Sequence, residues 1–98
     1  MLRLVGSREL RPRLSEWLEK AKAGDDVVVL VYGHPAALLR PVRPDDDGAM
    51  VASRFMRDDL HDVIQRARGT ALLVTWHGRM YAVLEAPPEG LEIKEEAS

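Results

Sequence analysis

The chain of 98 residues carries 14 Lys and Arg against 16 Asp and Glu, a formal net charge of −2, and no cysteine, which excludes a disulfide framework and a thiolate metal site. No apolar run is long enough to cross a bilayer, and the length suits one compact unit or two very small ones sharing a core. The first residues hold Arg3 and lack the apolar stretch and cleavage site of a signal peptide, so a cytoplasmic protein is expected.

Residues 2–5 alternate Leu2 and Leu4 with Arg3 and read as a short strand, broken by Gly6 and Ser7. Ser7 is placed to cap a helix. Pro12 lacks an amide donor and crowds the preceding turn, so the pattern predicts one helical turn at residues 8–11 and a restart at Pro12. Leu10, Leu14, Trp17, Leu18 and Ala21 then recur at helical spacing and share one face, up to a left-handed cap at Gly24. The β-branched run at 27–32 predicts a buried strand, Gly33 and His34 a turn, and residues 35–40 the returning strand. Residues 43–48, RPDDDG, read as a connector, with Asp45, Asp46 and Asp47 solvating it.

The same order then returns: a short strand near 50–52, a helix ending at Arg68 and Gly69, a strand at 72–76, a turn at His77 and Gly78, and a strand at 79–84. Setting Ser7 on Ser53 matches Val5 with Val51, Arg8 with Arg54, Arg11 with Arg57, Leu14 with Leu60 and Ala21 with Ala67. Past the helix, dropping one residue matches Gly24 with Gly69, Gly33 with Gly78, Ala37 with Ala82 and Leu39 with Leu84. Core positions, turn glycines and two arginines are what two copies of one fold would share, so the sequence reads as a duplication. Residues 1–42 and 49–87 are each mildly basic, while 43–48 and the tail at 88–98 are acidic.

A strand, then Ser7, Arg8 and Arg11 followed by Leu14, Ser15 and Glu16, a helix closed by Gly24, and a hairpin with Gly33, Pro35, Ala37 and Leu39 resembles the Phd/YefM antitoxin family. The second copy keeps Ser53, Arg54, Arg57, Leu60, Gly69, Thr75, Gly78, Ala82, Val83 and Leu84. The resemblance implies an α+β domain that dimerises and binds operator DNA, followed by a segment that wraps a toxin. Here a second copy stands where that segment should begin. A single copy is about 40 residues, too short to bury enough apolar surface alone. The fold expected is therefore α+β, two Phd/YefM-like β-α-β-β repeats paired as an intrachain pseudo-dimer.

Arg3, Arg8, Arg11 and Arg13 cluster about the first helix start, with Arg54 and Arg57 at the second, and on the functional reading they contact DNA phosphates. Arg11 and Arg57 fall on the family's motif arginine; where the family carries arginine before the hairpin glycine, this chain has Tyr32 and His77. The bland alternative is a solvated helix surface whose arginines pair with Glu9, Glu16, Asp58 or Asp59. Trp76 and Tyr81 on the second hairpin, and Leu91 and Ile93 in the tail, are weaker candidates for holding a partner, the rings being equally suited to cross-strand packing. His34, His61 and His77 lack metal-ligand spacing, Ser7, Ser15 and Ser53 lack the setting of a nucleophile, and no phosphate loop is present. Neither an enzyme nor a cofactor is expected.

The sequence reading is thus a DNA-binding, antitoxin-like repressor of a toxin–antitoxin module, acting on an imperfect palindromic operator because the halves are not identical. Operator DNA, a cognate toxin and a second copy of the pseudo-dimer are its expected partners. Its rivals are an interaction module that has lost DNA binding and an antitoxin that neutralises its toxin through an unusual surface. A further idea is that the acidic tail masks the basic patches.

Overall fold

Leu2–Gly6 (β1) alternates its side chains across a sheet and pairs in parallel with Asp26–Val31 (β2), Val5 lying opposite Val29. Parallel pairing needs a crossover, supplied by Ser7–Leu10 (α1), a 3₁₀ turn at Arg11–Arg13 and Leu14–Lys22 (α2). His34–Arg40 (β3) returns antiparallel to β2. After the connector, Met50–Ala52 (β4), Ser53–Asp58 (α3), Leu60–Gly69 (α4), Leu72–Trp76 (β5) and Arg79–Glu85 (β6) follow with the same pairings, β4 parallel and β6 antiparallel to β5. The computed structural model describes residues 1–90, and it is mixed α+β: six strands in one sheet, ordered β1-β2-β3-β6-β5-β4, with β1 and β4 at its edges.

At the centre of the sheet β3 and β6 run antiparallel, with Leu39 opposite Leu84, Leu38 opposite Glu85 and Arg40 opposite Val83. Leu39 and Leu84 are both fully buried. They belong to one apolar cluster that also takes Leu18 and Ala21 from α2 and Ile64 and Ala67 from α4, so both groups of helices close over the same face. Among the described residues no helix is long and apolar enough to cross a membrane.

Several local expectations need correction. Ser7 and Ser53 do not cap their helices: the caps are Gly6 and Ala52, still extended at φ −73° and −72°, and neither helix has a side-chain cap bond. Each serine is already the first helical residue. Its hydroxyl therefore starts one position too late to meet the orphan amides as an N-cap does. Pro12 is absorbed within the 3₁₀ turn, and α2 begins at Leu14, after Arg13 at φ −121° and ψ 29°. Asp59, at φ −124° and ψ 47°, makes the corresponding break between α3 and α4 without a proline.

The first hairpin turns at Tyr32 and Gly33, one residue earlier than Gly33 and His34 suggested. Tyr32 (φ 50°) and Gly33 (φ 78°) are both left-handed, as are His77 (φ 52°) and Gly78 (φ 75°). Two consecutive positive φ values define the I′ type, whose twist suits a two-residue hairpin. Both hairpins also shift register at a bulge, between Val29 and Leu30 and between Val74 and Thr75.

The acidic connector is not simply solvated. Val28, Leu38, Leu73 and Val83 are buried on the sheet face opposite the helices, and by alternation Arg40 shares that face. Arg40, 5% exposed, donates from Nη1 to Asp46 Oδ2 (3.0 Å) and from Nη2 to Asp46 Oδ1 (2.8 Å), a bidentate pair that holds the connector against the sheet. Nη1 also donates to the carbonyl of Pro41 at 2.9 Å. Glu85 Oε2 stands 3.0 Å from Arg40 Nε but off the N–H axis, a charge contact rather than an aimed hydrogen bond. The Arg43 amide donates to Asp46 Oδ2 at 2.6 Å.

Candidate functional site

Each edge strand leads straight into a short helical segment with two arginines three residues apart: Arg8 in α1 and Arg11 at the start of the 3₁₀ turn in the first copy, Arg54 and Arg57 both within α3 in the second. Arg8 and Arg11 therefore lie on neighbouring positions of one face of the first helix start, and Arg54 and Arg57 do so in α3. All four are exposed. The edge strands stand five strand spacings apart, roughly 24 Å across the sheet. Among the described residues the acidic partners weighed in the bland reading are almost wholly unused. Arg57 Nε stands 3.9 Å from Asp58 Oδ1, both side chains more than half exposed, and no ion pair engages Arg8, Arg11 or Arg54.

Arg3 does not join this cluster. Its Nε donates to Asp25 Oδ2 at 2.6 Å, and Asp25 Oδ1 also lies 3.2 Å from the amino-terminal ammonium. The Arg3 hydrogen bond first, and the terminal ammonium second, hold the Asp25 carboxyl below the usual carboxylate range. Arg3 thus ties the strand end to the turn after α2. Arg13 is exposed in the 3₁₀ turn. Trp76 and Tyr81 are partly buried against the core with ring centroids 5.1 Å apart, and Trp76 lies 5.0 Å from the His77 ring. Leu91 and Ile93 lie outside the described residues.

Arg8 and Arg11 line an open recess of about 900 Å³ between α1, the first hairpin and α4. Its floor is Leu30, Val31, Leu60 and Ile64, and Tyr32 and His61 complete its rim. Sequence patterning did not single out His61 or Ile64 for this place, because they come from the second half of the chain and reach the first hairpin only through the tertiary fold.

The chain is similar to two curated relatives, the "Putative antitoxin VapB5" of Mycobacterium tuberculosis strain CDC 1551 / Oshkosh and its counterpart in strain ATCC 25618 / H37Rv. Each is 50% identical over 40 residues, a stretch that makes up 41% of this chain and 46% of the relative. The chain thus spans about half the length of the curated relatives it matches. No protein-family model matches it. No solved structure matches it significantly.

Proposed function

We propose that this chain is an antitoxin-like regulator of a toxin–antitoxin module that binds operator DNA as an intrachain pseudo-dimer of two Phd/YefM-like repeats, residues 1–42 and 49–87. The observation that carries the reading is the 40-residue stretch at 50% identity to proteins named as antitoxins. The pairing of β3 with β6 supports the pseudo-dimer. The neighbours of Leu39 meet the neighbours of Leu84 reciprocally, Leu38 with Glu85 and Arg40 with Val83, as a two-fold interface requires. The exposed arginines at both helix starts support the DNA contact: among the described residues Arg8, Arg11 and Arg54 have no carboxylate partner and Arg57 has only the exposed 3.9 Å contact with Asp58, which leaves the guanidinium groups able to take a phosphate. A cognate toxin is the protein partner this reading implies.

Four phosphate contacts, from Arg8, Arg11, Arg54 and Arg57, correspond to a slope of about −3.6 in log affinity against log salt, a loss of about 150-fold between 50 and 200 mM. The test is a gel-shift titration against the upstream region of the gene and an unrelated duplex across that salt range. The wild type is expected to prefer the upstream duplex. The Arg11→Ala/Arg57→Ala variant is expected to bind more weakly and to lose about two from the slope. Equal weak binding to both duplexes, or an unchanged slope in the variant, refutes the operator reading.

A further inference from the structure

The second hairpin carries bulkier side chains than those that line the recess beside the first. Superposing the two turns through Gly33 and Gly78 sets Val31 against Trp76 and Ala36 against Tyr81. The two rings meet edge to face, and Lys22 Nζ lies 4.3 Å from the Tyr81 ring centroid, so bulky side chains and a covering cation occupy the second hairpin's inner side. Val31 and Ala36 leave the equivalent volume empty. A smaller cavity of about 180 Å³ shares Val31, His61 and Ile64 with the main recess and extends it to Arg68.

Charge, floor and shape together select an occupant. Arg8, Arg11 and Arg68 stand on the walls and, among the described residues, no Asp or Glu lines either cavity, so the complement is anionic. Leu30, Val31 and Ile64 form a floor that gains only by meeting aliphatic groups, at about 25 cal/mol per Å² removed from water. Phosphodiester backbone would satisfy the arginines and leave that floor wet. The recess is open along one side and runs from Gly6 to Arg68, which suits a length of polypeptide better than an enclosed small molecule.

We propose that this recess is a docking groove for an acidic segment of a partner protein, which seats aliphatic side chains between Val31 and Ile64 and sets its carboxylates against Arg8, Arg11 and Arg68. The site lies at the first hairpin and is walled by α4 from the second half of the chain. It shares Arg8 and Arg11 with the proposed DNA contact, so segment and DNA compete for the first helix start while Arg54 and Arg57 stay free.

The test uses the full isotope-labelled chain titrated with a capped octapeptide alternating Glu and Leu, followed by amide NMR. Peptides alternating Glu with Ser and Lys with Leu, and a short unrelated duplex, serve as comparisons. Saturable binding of the Glu/Leu peptide is expected, with shifts centred on Tyr32, His61 and Ile64, at least about tenfold weaker binding of the Glu/Ser peptide, and none of the Lys/Leu peptide. Val31→Trp, which plugs the groove as Trp76 plugs the second hairpin, is expected to weaken binding at least about tenfold. Arg8→Glu/Arg11→Glu, confined to exposed positions, gives an independent reading if the filled variant fails to fold. Absence of saturable binding, shifts away from the groove, or wild-type binding by the variants overturns the proposal. A duplex that shifts the groove residues where the peptide does not makes this a nucleic-acid surface and overturns it too, leaving the operator reading intact. Peptide binding beside a failed gel shift refutes the operator reading alone.

Discussion

Arg40 is the one charged residue buried among the described residues, and three segments converge on it: its own strand, β6 through Glu85 and the connector through Asp46. Truncation removes the partner of both carboxylates at once. Arg40→Ala is therefore expected to cost on the order of 3 kcal/mol, measured as the shift of a urea midpoint at constant m-value. The double reversal Arg40→Glu/Glu85→Arg should not recover it, because Asp46 would then face a carboxylate. Asp46 also sets a pH dependence. Its hydrogen bond from Arg40, and then that from the Arg43 amide, lower its pKa to about 2. A depressed carboxylate stabilises the fold above its unfolded value, near 3.8, and that stabilisation is lost as pH falls through about 2. Asp46→Asn is expected to flatten the fall in melting temperature across that window, seen by circular dichroism at successive pH values. The sequence displayed Arg40 and three consecutive aspartates. It could not show which aspartate folds back, because that depends on a strand end lying beneath the connector.

The hairpins make the corresponding case for elements. Tyr32 holds a left-handed backbone while the residue is 87% exposed, so little packing compensates the strain. Tyr32→Asn is expected to stabilise the protein by about 0.5–1 kcal/mol, read as a raised melting temperature. His77→Asn should gain less, because His77 packs its ring beside Trp76. Strand and helix order was legible in the sequence, since Leu14, Leu18 and Ala21 and then Leu60, Ile64 and Ala67 keep helical spacing and all are buried. The valine runs likewise marked the inner strands. The second turn, at His77 and Gly78, was legible; the first was not, because a glycine fixes only one of the two positive φ angles and the other fell on Tyr32 rather than His34. The arginine pairs of the candidate site were visible in the spacing of Arg8 with Arg11 and Arg54 with Arg57. The groove beside them was not, being assembled from a hairpin and a helix far apart in the chain.

The whole molecule shares one apolar cluster, joined through Leu39 and Leu84, and this predicts a single cooperative transition. Trp17 reports on the first half and Trp76 on the second, both partly buried against that cluster. Fluorescence of Trp17→Phe and Trp76→Phe variants should give melts that coincide with each variant's own far-UV signal. Two separated midpoints would mean that the halves unfold independently.

Among the described residues the sheet is open at both ends, and the ends differ. β1 presents five residues with Leu2 and Leu4 about half exposed, whereas β4 presents only three, and the unpaired amides and carbonyls of either could template another strand. Length and apolar surface make β1 the better template, so aggregation in a concentrated or warmed sample would nucleate there. Arg3 does little to prevent this, because its charge is spent on Asp25. The edge better suited to templating another strand is thus the one whose own cation is engaged elsewhere.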